Sequence, residues 1–446
     1  MFYPGLRPFS KTSLFSLVLG LSLCLTHQAN AVFQPANYDE SKIPAYVLPA
    51  VLVTQNGSQI TTENQWKQSR RGEIITLFEN HMFGKKPATP FATQYESISS
   101  ETDDRPPIPG AIRRQVKMTF TANGKKNSVD ILIYLPKEAS GPVPLFLTLN
   151  FHGNHTITDD PAVPVTSSWV RNLPAKNITE NRSTEDARGM QQNRWPVAEI
   201  ISRGYGLATI YYGDIDPDEH DQFKNGIHAV LDVADKPRND NAWGSIAAWA
   251  WGLSRAMDYF ETAPLIDSNR IAILGHSRLG KTALWAGAQD ERFGLVISNN
   301  SGCGGAALSR REIGETVARI NKVFPHWFCK NFRAYGERVN DLPMDQHLLI
   351  AAIAPRPVYV ASASKDQWAD PRGEFLALKE ASPAYALWGL ADLSEAEMPP
   401  VNQSIGRQMG YHIRKGKHDV TPFDWKCFMD FADQHFQTDK TANGKN

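Results

Sequence analysis

The sequence predicts an α/β chain built on a mostly parallel, helix-covered β-sheet with its site at the carboxyl ends of the strands. Two observations carry that expectation. Beyond residue 140, apolar runs of strand length alternate with helical segments, and hairpin signals are few. Within that alternation, Ile271-Ala272-Ile273-Leu274-Gly275-His276-Ser277-Arg278-Leu279-Gly280-Lys281 reads as a strand, a tight turn at Ser277 and the approach to a helix rich in small residues, 282–289.

The chain has 446 residues, 41% hydrophobic and 21% charged, the balance of a soluble globular protein. Its 47 basic and 47 acidic residues cancel, which removes the electrostatic case for nucleic acid or an anionic membrane as partner. Arg7 and Lys11 precede an apolar run at 14–25, and Ala29-Asn30-Ala31 offers small residues where a signal peptidase reads, so residues 1–31 are expected to be an export signal cleaved after Ala31. The run is short for a permanent anchor, and bulky Leu23 before Cys24 argues against a lipoprotein signal. No other segment reads as transmembrane, and the mature chain is expected to be a secreted or periplasmic monomer. Cys303, Cys329 and Cys427 remain after cleavage. Export permits one disulfide, expected between Cys303 and Cys329, with Cys427 a buried free thiol on an amphipathic helix. Cysteines without paired short spacing predict no zinc site, and no cofactor is expected.

Taken in order, residues 32–60 are rich in proline and polar residues and read as an extended arm over the core. Thr62 and Gln65 stand as a capping box, opening a helix that carries Trp66, Ile74, Ile75, Leu77 and Phe78 and ends before Gly84 and Pro87. Residues 88–110 are loop-like. Segments 116–121 and 129–135 alternate apolar with polar around Asn123-Gly124, a hairpin signal. The strand 143–151 runs into His152-Gly153, where the glycine serves either as a sharp turn or as a backbone donor to the site. Residues 156–195 and 214–241 are long and polar, and read as two insertions near the active face. Between them lie a helix at 195–203 and a strand at 206–212.

The helix 243–260 carries Ile246, Ala250, Leu253 and Met257 at helical spacing and is apolar on its other faces too, so it packs on the sheet. After the Ser277 turn come a strand at 295–298, a small-residue segment at 300–307 and a loop and helix region to 337. A helix at 347–353, a strand at 357–361 and a loop at 364–370 follow. The last strand ends at 412–414, before the loop Gly416-Lys417-His418. The final helix starts at Thr421-Pro422 and packs through Trp425, Phe428, Met429, Ala432 and Phe436. Residues 111–437 thus read as the main domain, 32–110 as an arm and helix packed on it, and 438–446 as a disordered tail.

A serine on such a turn reacts when a base takes its proton, an acid holds the base in the right tautomer and N–H donors meet the oxyanion. Sheet hydrolases supply these in the order serine, acid, histidine, from loops after successive strands. Ser277, Asp366 and His418 meet that order and placement. Arg278 follows the serine, so its backbone N–H is an oxyanion donor by position, and its guanidinium can add a charged donor. Lys281 lies one helical turn on, where its ammonium can reach a substrate over the hydroxyl. An ordinary surface cation is the alternative for both. His152 and His155 have H-x-x-H spacing without a glutamate between them or a third ligand, which predicts no metal site. His326, Trp327, His347 and His412 read as core or supporting residues, and the N-x-S/T sequons matter only in a glycosylating host.

The turn departs from G-x-S-x-G, since Leu279 stands where the second glycine belongs and Gly280 comes one later. Gly275-His276-Ser277-Arg278-Leu279-Gly280-Lys281, followed by Ser301-Gly302-Cys303-Gly304-Gly305, resembles the motifs G-C-S-R-x-G-K and S-G-x-G-G of the glucuronoyl esterases, carbohydrate esterase family fifteen. The likeness continues through Ile313-Gly314-Glu315, Ala354-Pro355-Arg356, Asp366-Gln367-Trp368 and His418. It implies a serine esterase of the α/β-hydrolase fold that cleaves esters of glucuronic or 4-O-methylglucuronic acid on xylan, including those to lignin alcohols. Glucuronoxylan or a lignin–carbohydrate ester is then the expected partner. The resemblance implies Ser277 as nucleophile, His418 as base, Arg278 as oxyanion donor, Lys281 and Glu315 as ligands of sugar hydroxyls, and Trp368 as a plate against the sugar.

Two positions depart from the family pattern. His276 replaces the cysteine common before the serine in fungal members, so their disulfide to the histidine loop is absent. Asn300 occupies the place where many members carry a catalytic glutamate. An amide cannot stabilise an imidazolium by charge, so the acid is assigned to Asp366, the position of bacterial-type relatives, with Asp370 and Asp419 next in line. Two other readings stay open. An acetyl or feruloyl carbohydrate esterase would hold its sugar on the leaving side and leave Lys281 and Glu315 poorly explained. A non-catalytic, hydrolase-like glycan-binding protein is opposed by the joint presence of Ser277, Asp366 and His418.

Overall fold

Strands β1 (Ala92–Ser97), β2 (Ala111–Ala122), β3 (Lys125–Pro136), β4 (Val143–Asn150), β5 (Gly206–Tyr211), β6 (Ile266–His276), β7 (Leu295–Asn299), β8 (Val358–Ala363), β9 (Ser404–Ile405) and β10 (Met409–Arg414) form one sheet. They lie in the order β1-β2-β3-β5-β4-β6-β7-β8-β10-β9. The computed structural model describes residues 35–98, 106–233 and 236–436. The expected export signal and tail lie outside the described residues. The run from β5 through β10 is parallel, β1 to β3 extend it antiparallel on one side, and β9 pairs antiparallel with β10 on the other. This is the α/β-hydrolase fold, with its parallel core closed by helices.

The period-two alternation of the central strands decides which helices cover which face. Ile271 and Ile273 of β6, Val296 of β7 and Val358 and Val360 of β8 enter one core with Trp249, Trp285, Leu348 and Phe375. Ala272 and Leu274, Leu295 and Ile297, and Tyr359 and Ala361 enter the other with Ile200, Trp425 and Phe428. The helices Arg71–His81, Ser245–Phe260, Arg278–Gln289 and Pro371–Glu380 therefore pack on the first face, and Val197–Ser202 and Pro422–Phe436 on the second. Every strand that carries the site is covered on both sides, and only its carboxyl end is left for chemistry. No helix among the described residues is long and apolar enough to cross a membrane.

Local chemistry accounts for the elements that the sequence marked. Asn123 and Gly124 both take positive φ, 53° and 70°, as a two-residue hairpin requires. The Thr62 side chain accepts from Gln65 N at 3.2 Å while Gln65 Oε1 accepts from Thr62 N at 3.2 Å, completing the capping box. One π-helical turn, Trp66–Arg70, then leads into Arg71–His81.

Two expectations need correction, and one helix joins the predicted elements. Within 88–110, expected as loop, β1 forms an edge strand; its Ala-Thr-Gln-Tyr-Glu-Ser sequence faces solvent on both sides and so lacks the apolar alternation that marks buried strands. The helix Pro371–Glu380 was not foreseen, although Asp370 caps it by accepting from Gly373 N at 3.0 Å and Pro371 opens it. The Cys303–Cys329 disulfide is absent, and Cys303, Cys329 and Cys427 are buried free thiols. Cys303 lies in the loop after β7, where its carbonyl accepts from Lys281. Cys329 instead lies against the helix Arg71–His81, its Sγ 4.0 Å from Asn80 O.

Candidate active site

The strand-to-helix turn is sharper than the sequence alone conveys. Ser277 holds φ 59° and ψ −128°, a conformation costly for a residue with a Cβ and typical of an exposed nucleophile at the head of a helix. The helix starts at Arg278, so the Arg278 backbone N–H has no intrahelical acceptor and is an oxyanion donor by position. The displaced glycine has a packing reason. Leu279 points into the core, and the close approach falls on Gly280, where a Cβ would come 2.9 Å from Ser301 Cβ.

Ser277 shares a cavity of about 320 Å³ with Arg278, Lys281, Glu315, Asp366, Trp368 and His418, the seven residues singled out in the sequence. Asn300, Phe324 and Trp327 complete much of the wall. His418 Nδ1 donates to Asp366 Oδ2 at 2.6 Å, which leaves Nε2 as the acceptor, the form that a general base needs. Asn300 Nδ2 donates to the same Asp366 oxygen at 2.9 Å. The amide at the glutamate position is thus a neutral support for the aspartate. The two reserve acids are committed elsewhere: Asp370 to Arg311 at 2.8 Å and to its helix cap, Asp419 to Arg194 at 2.6 Å.

The guanidinium of Arg278 is held rather than free. Its Nη1 donates to Asp218 Oδ2 at 3.0 Å, and its plane lies over the rings of Trp327 at 5.0 Å and Phe151 at 5.5 Å. Asp218, its side chain 0% exposed, also accepts from Arg171 at 3.1 Å, Tyr212 at 3.0 Å, His326 at 2.9 Å and Trp327 at 2.7 Å. Burial alone would raise its pKa, but Arg278, His326 and Trp327 outweigh burial and hold the carboxyl well below the usual carboxylate range. Asp218 escaped the sequence reading because it is one acid among several in the second insertion, with no spacing to distinguish it.

Lys281 is more constrained than its helical position suggested. It is buried, and its Nζ donates to Ser301 O at 2.5 Å and Cys303 O at 2.6 Å, with Glu315 Oε2 at 3.8 Å. Two of its three protons therefore fix the loop after β7, and one is left for the cavity. Burial lowers its pKa, opposed by Glu315, and burial raises that of Glu315, opposed by Lys281. Glu315 N donates to Trp368 O at 3.0 Å, and a Cβ on Gly314 would stand 2.4 Å from that carbonyl. A glycine there lets the glutamate and the tryptophan share one wall. Trp368 is 37% exposed, with the Arg319 guanidinium 5.3 Å over its ring. Gly153 serves as a turn, and its N–H is spent on Asn150 Oδ1 at 2.9 Å. His155 bonds Ser183 Oγ at 2.9 Å, away from the cavity lining.

A second carboxyl lies beneath the site. Glu374, fully buried, accepts from Ser301 N at 2.7 Å, Gly302 N at 2.9 Å and Ser362 Oγ at 2.6 Å. Burial pushes it up to about 8. The folded chain holds this proton while the unfolded chain releases it near about pH 4.3, so its contribution to stability is full at low pH and is lost as pH climbs towards the folded value. Glu374→Gln keeps the shape and never ionises. The variant should therefore gain on the wild type in denaturant midpoint between about pH 5 and pH 9; a difference that stays constant with pH would rule out titration of Glu374 in that window.

A strained serine at the head of a helix and a histidine–aspartate pair, gathered at the carboxyl end of a parallel sheet, are the plan of an α/β-hydrolase acting on carboxylic esters. Comparison with known proteins narrows the class. Residues 206–389 match the family described as glucuronyl esterase, fungi. The chain is 48% identical over 429 residues to carbohydrate esterase MZ0003 from an unknown prokaryotic organism, covering 95% of this chain and 98% of that one. Its structure resembles a promiscuous CE15 esterase from a marine bacterial metagenome, at TM-score 0.83 and 49% identity over 90% of this chain and 100% of the other. It also resembles a glucuronoyl esterase from Solibacter usitatus, at TM-score 0.81 and 43% identity over 89% and 100%. The chain belongs to the glucuronoyl esterases, carbohydrate esterase family 15, and is a carboxylic ester hydrolase.

Proposed function

We propose that this enzyme hydrolyses esters of glucuronic or 4-O-methylglucuronic acid, such as those joining glucuronoxylan to lignin alcohols, through an acyl-enzyme on Ser277. His418 takes the serine proton and returns it to the leaving alcohol, while Asp366 holds the imidazole and stabilises its charged form. The oxyanion is met by the Arg278 backbone N–H and guanidinium. Lys281 and Glu315 take sugar hydroxyls, and Trp368 packs on the ring. The observation that carries this reading is the 2.6 Å His418–Asp366 pair in one cavity with Ser277 and the Lys281–Glu315 pair. An acid on the acyl side that bears several hydroxyls uses that polar floor, whereas an acetyl group would leave it idle. The arm and helix at 32–110 are proposed to support this catalytic domain at 111–437, and the signal at 1–31 to send a monomer to plant cell-wall material outside the cytoplasm.

A broader acyl scope is favoured by the 49% identity to an esterase described as promiscuous. Rates on benzyl glucuronate, acetylated xylan sugars and feruloylated sugars separate the two readings. Turnover is expected on the glucuronate ester at a kcat/KM at least about 100-fold above the others, because only that substrate engages the polar floor. Activity confined to acetyl or feruloyl esters would end the proposal, and glycan binding without turnover would move the chain to the non-catalytic class.

A further inference from the structure

His276 touches the proposed base yet has no role in the chemistry described so far. It is buried at the end of β6, one residue before Ser277. Its ring centroid lies 4.5 Å from that of His418, at 39° between planes, and Phe151 meets it edge-on at 6.1 Å and 82°.

The hydrogen bonds around His276 settle which nitrogen carries its proton. The side-chain nitrogen of Asn299 lies 3.0 Å from Asp419 O, which can only accept, so that atom is the amide NH2. Its other proton points to His276 Nδ1 at 2.9 Å. Nδ1 therefore accepts, and the ring is neutral with its hydrogen on Nε2. A second proton on this ring would oppose the Asn299 donor and set a cation against His418. Burial lowers its pKa well below the ordinary histidine value, with His418, Arg194 and Arg414 acting in the same direction and the Asn299 backbone acting against them. The charged neighbours of this group are otherwise engaged: Arg194 bonds Asp419 Oδ1 at 2.6 Å, Arg414 bonds Asp419 O at 2.6 Å, and Asp366 bonds His418.

We infer that His276 is a positioning residue for His418, a neutral imidazole locked by Asn299 that gives the base a flat face and ties the nucleophile's strand to the histidine loop through Asn299 and Asp419. The inference rests on His418 acting as the base. As His418 becomes an imidazolium, the π-face of an uncharged ring favours the cation, much as other aromatic faces do. A charged ring there would oppose it. The Asn299 bridge to the Asp419 carbonyl fixes the residue next to His418, so displacement of His276 shifts both the face and the loop.

The test uses the full chain with benzyl glucuronate and three variants. His276→Ala, which removes face and acceptor, is expected to lower kcat by about 10- to 100-fold, the cost of a misplaced catalytic group. Its KM should stay within about twofold, since the lost interaction matters only in the transition state. His276→Phe keeps a face but strands the Asn299 amide, and its kcat should fall between that of His276→Ala and the wild type. In 15N-histidine spectra of the wild type, His276 should show the neutral Nε2–H form throughout the pH range in which His418 takes up its proton. Wild-type kcat in both variants would overturn the inference, as would an Nδ1–H tautomer or joint protonation of the two rings; the spectra and the phenylalanine variant decide the matter even if the alanine variant does not fold. His418→Ala separates the two levels of the argument. Its loss of turnover is expected, whereas retained turnover would defeat the proposed base itself.

Discussion

Asp366→Asn is expected to leave the fold intact and to lower kcat on benzyl glucuronate by about 10⁴-fold, with KM little changed. The carboxylate accepts from both His418 Nδ1 and Asn300 Nδ2 through one oxygen, Oδ2. An amide oxygen in its place can still accept, but it carries no charge to stabilise the imidazolium, and an amide nitrogen turned to the ring would reverse the tautomer. Measurement of kcat and KM alongside denaturant unfolding separates chemistry from folding. Near-normal turnover would remove Asp366 as the acid. Asp370 and Asp419 could replace it only by giving up Arg311 and Arg194.

Asp218→Ala is expected to act on both stability and rate. The carboxylate is fully buried and joins Arg278, Arg171, Tyr212, His326 and Trp327. Its removal leaves a guanidinium in the wall of the cavity without its counter-charge, and breaking a buried pair costs about 3–5 kcal/mol. Arg278 then loses the anchor that aims it, and kcat should fall by about 10²- to 10³-fold, the loss seen when an oxyanion donor is removed. Asp218→Asn, which keeps the shape and one of the two acceptor oxygens but not the charge, should cost less than Asp218→Ala in both. Unfolding curves and kcat for the two variants check this; wild-type behaviour in Asp218→Ala would show that Arg278 is aimed by the Trp327 and Phe151 rings alone.

The two expected effects differ in how far each could be read in advance. Asp366 follows a predictable strand and falls at the place in the chain order where sheet hydrolases keep their acid. Asp218 lies in a polar insertion among other acids, and what distinguishes it is the convergence of Arg171 from one insertion, His326 and Trp327 from a later loop, and Arg278 from the turn. Residues far apart in sequence meet there only through the fold. The same holds for Glu374, whose partners Ser301, Gly302 and Ser362 come from two other segments. β1 escaped for a different reason, since an edge strand exposed on both faces carries no apolar period.

By itself, the sequence determined the parallel, helix-covered sheet, the capping box at Thr62, the hairpin at Asn123-Gly124 and the family, because each depends on local periodicity or on residues close together in the chain. It also named the seven residues that line one cavity. The tertiary structure alone decided how they are held. It committed two protons of Lys281 to backbone carbonyls, turned Asn300 into a donor for Asp366 and fixed Arg278 on a buried carboxylate. It also kept Cys303 and Cys329 apart, since the pairing of distant groups follows from packing and burial rather than from spacing along the chain.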